Sequence, residues 1–94
     1  MNLGDVKVNM QEMNWKLRVS LQDWDPFGYG SDAYETEIVD VIQVVHEIGD
    51  DVQALAKSIQ TIYEFSYEEV IPLDSCMNIA NTLISIQQQA SCEL

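Results

Sequence analysis

Asp23-x-Asp25-x-x-Gly28 opens like a calcium-binding loop, with Ser31 at the ninth position. Such a loop closes on a bidentate glutamate at position twelve, but that place holds Tyr34, and Glu35 comes one residue late. Position five is Phe27, and Pro26 removes a backbone donor. Calcium is not expected. His46, Cys76 and Cys92 are the remaining residues of metal or nucleophile type, and they form no Cys-x-x-Cys or zinc set. No signature places a Ser or Cys beside His46, as nucleophilic catalysis requires. Glu35/Glu37 and Glu68/Glu69 are two and one residues apart, so on a helix neither pair shares a face. With no P-loop or dinucleotide fingerprint either, the expectation is a non-enzymatic chain with no cofactor and no metal.

Charge says more than any motif. The 94 residues carry a net charge of −12. Three of the four cations, Lys7, Lys16 and Arg18, fall in the first 18 residues; nine acids follow between Val19 and Ala56 without one Lys or Arg. After Lys57 come five more acids and no further cation. Such a surface repels nucleic acid and anionic membranes and attracts a basic protein, unless the acids serve only solubility. There is no membrane-length apolar run and no signal-peptide pattern, and if one helix carries both cysteines they stand about 24 Å apart. A reduced, cytoplasmic chain of one domain is expected, with residues 1–9 and 87–94 loose.

The elements that would position these residues meet at Asp23–Glu35. A helix arriving through Trp24 stops before Pro26, Gly28 and Gly30 allow the chain to reverse, and Ser31 or Asp32 can cap the next helix with Glu35. Trp24, Phe27, Tyr29 and Tyr34 surround the turn and are expected to bury there. Residues 10–24 fit two templates. Met13, Trp15, Leu17, Val19 and Leu21 alternate like a strand, whereas Met10, Met13, Leu17, Leu21 and Trp24 fall within about 80° on a helix. Helix is preferred, because nothing later offers a strand partner. Gly4 and Asp5 suggest a break before it.

Three more helices follow. The second, about Asp32 to Ile48, presents Tyr34, Ile38, Val41, Ile42, Val45 and Ile48; the third, about Asp51 to Glu64, presents Val52, Leu55, Ala56, Ile59, Ile62 and Tyr63. Ser66-x-x-Glu69 reads as a capping box opening a short turn before Pro72. Asp74 would then cap a fourth helix with Cys76, Ile79, Ala80, Leu83 and Ile86 on its face. The fold class is all-α, a small helical bundle of about four helices.

With the helices placed, Leu17 to Ile86 resembles a family of small bacterial proteins, largely from Bacillus-like Firmicutes, classed as a domain of unknown function. The matching residues are Trp24-Asp25-Pro26, Tyr34-Glu35-x-Glu37-Ile38, Leu55-Ala56-x-x-Ile59 and Cys76-x-x-Ile79-Ala80. The resemblance implies an all-helical fold, transfers no catalytic residue, and leaves the first dozen residues as an extension.

Two surfaces remain as candidates for a partner. Asp40, Gln43 and Glu47 form a column opposite the core stripe of the second helix; it is either a solvated face or a steering surface for a basic protein. On the first helix, Val8, Trp15 and Val19 lie within about 40° of one another opposite its core stripe. A Trp between two Val suits an interface anchor. Trp15, Val19, Asp40 and Glu47 are therefore the expected partner-binding residues of a binding protein of immunity, antitoxin or phage-inhibitor type. The alternative is a homodimeric structural or regulatory protein, its interface centred on Trp15.

Overall fold

The computed structural model describes the backbone of residues 2–92 and the side chains of residues 11–89. Four helices, α1 (Asn2–Trp24), α2 (Glu35–Ile48), α3 (Val52–Tyr67) and α4 (Leu73–Cys92), form an all-α bundle. Each packs on its neighbour in the chain, and α4 closes the ring against α1. The diagonal from α1 to α3 is bridged at one end by the Trp24 ring, edge-on to Tyr63 at 5.4 Å. No described helix is long and apolar enough to cross a membrane.

The ambiguous segment 10–24 is helix. Met13, Leu17 and Leu21 enter the core while Trp15 between them stays 64% exposed. A strand would have sent Met13, Trp15, Leu17 and Leu21 to one side. The helix also runs through Gly4 and Asp5, where a break was expected, and α4 continues past Gln87 to Cys92. Ile38, Val41 and Val45 of α2 meet Leu55, Ala56, Ile59 and Tyr63 of α3 and Cys76, Ala80 and Leu83 of α4, all fully buried.

Three helix ends differ from expectation. Neither Ser31 nor Asp32 caps α2; its N-cap is Tyr34, with no side-chain cap bond. The Tyr34 ring turns into the core, and the Ala33 carbonyl before it accepts instead from Tyr67 Oη at 2.6 Å. Asp51 does cap α3, accepting from the Ala54 N–H at 3.1 Å. Ser66-x-x-Glu69 opens no turn: α3 runs on to Tyr67, and Ser66 donates to Glu37 Oε2 at 2.7 Å across the bundle. The third is α4, which starts at Leu73, so Asp74 lies in its first turn while the Pro72 carbonyl takes the N–H groups of Ser75 and Cys76.

Candidate functional site

The best-ordered chemistry in the chain is the corner after α1. Asp25 adopts a φ of 36°, a left-handed conformation that aspartate tolerates better than most residues. Its carboxylate curls over the turn and accepts from Tyr34 Oη at 2.5 Å, from the Tyr29 N–H at 2.9 Å and from the Gly30 N–H. Gly28 and Gly30 stand at φ 73° and 101° with open space around them, so it is backbone conformation, not crowding, that calls for glycine. Tyr34 Oη in turn accepts from the Phe27 and Tyr29 N–H groups at 3.2 and 3.3 Å. Asp25 and Tyr34 thus take the N–H groups of Phe27, Tyr29 and Gly30 between them.

Around this pair stand Trp24, Phe27, Tyr29, Tyr63 and Tyr67, with ring centroids 5.3–6.5 Å apart. Glu37, 7% exposed, sits in the first turn of α2, where a negative charge suits the helix dipole. It accepts from Ser66 Oγ and, at 3.2 Å, from Tyr67 Oη. Burial, then the charge of Glu37, push the Tyr67 phenol up to about 12. Burial and then the Asp25 bond raise Tyr34. Both are locked as neutral donors, which suits a structural clamp better than proton transfer at neutral pH. Cys76 is buried and its thiol is pushed up to about 11 by that burial, which keeps it protonated at neutral pH. Cys92's side chain lies outside the described residues.

The corner makes a pH prediction. The Tyr34 hydroxyl bond, partly opposed by burial and helped by the backbone N–H groups, holds Asp25 below its ordinary value of 3.8. A carboxylate depressed in the folded state contributes stability that is complete above its unfolded pKa and lost as pH falls through the folded value. Tyr34→Phe should therefore raise the Asp25 pKa, followed by carboxyl NMR titration, and shift acid unfolding to higher pH. An unmoved Asp25 titration would show that the hydroxyl bond does not hold it.

The predicted partner residues sit elsewhere. Trp15 lies in a groove of about 350 Å³ between α1 and α2, lined also by Gln11, Asn14, Arg18, Val39 and Ile42. His46 on α2 meets Asn14 on α1, Nε2 to Oδ1 3.0 Å, next to it. Val19, half-buried, does not line this groove, and Val8's side chain lies outside the described residues. Asp40 and Glu47 are exposed on α2, where Gln43 donates to Glu47 at 3.4 Å.

The structure thus pairs Trp15 with Val39, 52% exposed, a residue that the core stripe of the second helix does not include. Its place about 100° round from Ile38 was the available signal. The stretch Phe65–Glu69 was also missed as surface, because ending α3 at Glu64 left Phe65 off its wheel. Among the described residues no three His, Cys, Asp or Glu side chains converge as a metal site would need.

Comparison with known proteins agrees with this architecture. A crystal structure of a Bacillus stearothermophilus protein superposes with a TM-score of 0.82 at 42% identity, over 85% of this chain and 98% of that one. "Uncharacterized protein YugE" of Bacillus subtilis (strain 168) is 49% identical over 69 residues, 73% of this chain and 79% of that protein. The family model described as "Domain of unknown function (DUF1871)" matches residues 16–93, so that α2, α3 and the Asp25–Tyr34 corner all fall within it. The chain belongs to the DUF1871 family.

Proposed function

We propose that this protein is a non-enzymatic binding module, cytoplasmic, that docks a protein with a basic face onto the outer side of α1 and α2. Immunity proteins, antitoxins and phage-type inhibitors of basic enzymes work in this way. The observation that carries the reading is Trp15, left 64% exposed in a groove with Val39 and Ile42. An indole on an apolar groove is a costly thing to leave in water and a frequent interface anchor. Further round α2, outside the lining of the groove, Asp40 and Glu47 are exposed, and Asp50 and Asp51 extend the charge past the end of the helix. Arg18 lines the α1 wall, so the fitting partner is basic over α2 and offers one carboxylate over α1. The same charge disfavours nucleic acid and anionic membranes.

The test is kinetic. Asp40→Asn together with Glu47→Gln should slow association with the basic partner and flatten its salt dependence, leaving dissociation nearly unchanged. Equal changes in both rates, or none, would mean that the column is only a solvated face. A second reading, a homodimeric structural or regulatory protein, is favoured by a different exposed side chain, Phe65.

A further inference from the structure

Phe65 is 89% exposed, and nothing in the proposed role of α1 and α2 uses it. It stands on the last turn of α3, whose outward side runs Ala54, Ser58, Thr61, Phe65. Steps of four, three and four residues keep these within about 60° of one another on the helix. Alongside lies a hollow of about 320 Å³ between α2 and α3, lined by Val44, Lys57, Ser58, Thr61 and Ile62. A second hollow shares Thr61 and continues to Glu64, Phe65 and Glu68. An apolar knob and an apolar hole therefore occupy one face, about one and a half turns apart on the same helix.

We propose that this face binds a second copy of the chain. The two α3 helices pack antiparallel about a two-fold axis near Thr61, and each Phe65 enters the Val44–Ile62 hollow of the other copy. A knob and hole on one patch are what an isologous interface requires.

The charges select this occupant. Lys57 is the only Lys or Arg after Arg18, and it lies on the wall of the hollow. Glu64 is seven residues on, about 20° away on the same flank but about 10 Å further along the axis. A two-fold axis perpendicular to antiparallel helices keeps each flank on its own side. Lys57 of one copy then faces Glu64 of the other, twice over, with Glu68 close behind. In a parallel two-fold pair the Lys57–Glu64 flanks of the two copies would lie on opposite sides of the seam and could not pair with each other. A foreign basic segment would suit Glu64 and Glu68 but meet Lys57 at the hollow.

This inference is independent of the binding role proposed for α1 and α2; it rests on the homodimer reading and moves that interface from Trp15 to α3, leaving the Trp15 groove free. Sedimentation velocity over a concentration series at about 0.15 M salt, which screens the repulsion between two acidic chains, tests it, with circular dichroism to confirm folding. Wild type should dimerise, Phe65→Asp should be monomeric, and Trp15→Ala should dimerise like wild type. Lys57→Glu and Glu64→Lys should each weaken the dimer about tenfold, and the double reversal should recover most of that loss. A wild type that stays monomeric at the highest concentration, or a dimer indifferent to Phe65→Asp, would overturn the proposal. So would a dimer abolished by Trp15→Ala, or a double reversal no tighter than the single ones.

Discussion

Tyr34→Ala is expected to lower the free energy of unfolding by about 3–5 kcal/mol, the range for emptying a buried aromatic site. Tyr34→Phe should cost about 1 kcal/mol although it removes a single oxygen, because two part-buried groups lose a hydrogen bond. The Asp25 carboxylate and the Phe27 N–H lose a bond each, at 2.5 and 3.2 Å in the wild type. The same substitution at Tyr63 is the control. Its hydroxyl is buried without a hydrogen-bond partner, so Tyr63→Phe should leave stability unchanged or raise it. Urea denaturation of the three variants measures this. A Tyr34→Phe protein as stable as wild type would remove the corner from the account.

That corner was partly legible in the sequence. Pro26, Gly28 and Gly30 announce a reversal because each restricts or frees φ in a known way. The aromatic residues around them were expected to bury; Tyr34 does so fully, Trp24 and Phe27 in part, and Tyr29 joins the cluster but stays 55% exposed. What did not show was which side chain answers the turn's donors. Ser31 and Asp32 have the right chemistry for a cap, yet α2 starts without a side-chain cap, and it is Asp25, with its left-handed backbone, that takes the Tyr29 and Gly30 N–H groups of the turn. Ser66 and Glu69 likewise have the local spacing of a capping box. Ser66 is instead drawn to Glu37, 29 residues away, and no local pattern encodes that distance. Trp15 and the acidic column of α2 were both placed on exposed faces, since helical period alone decides that. Their relation to Val39 depends on how α1 leans on α2, which period does not specify.

Leu17→Ala should cost about 2–5 kcal/mol, since the side chain is fully buried where α1 packs on the bundle. Trp15→Ala, two residues away, should change stability by no more than about 0.5 kcal/mol, because its ring rests largely in solvent. The contrast separates the two stripes of α1: one holds the fold together and the other is free for recognition. Comparable losses at both positions would mean that Trp15 is a packing residue and the groove is not a docking surface.

If Trp15→Ala is as stable as wild type, that same variant gives the most direct test of a binding role. Wild-type and Trp15→Ala proteins would be immobilised as paired baits in one native lysate of a Bacillus relative, and the retained proteins quantified. The account predicts a basic protein held by the wild type, released by raised salt, and depleted at least about tenfold on the variant, as expected for loss of an interface anchor. Identical retention on both baits, or no protein specific to the wild type, would contradict it.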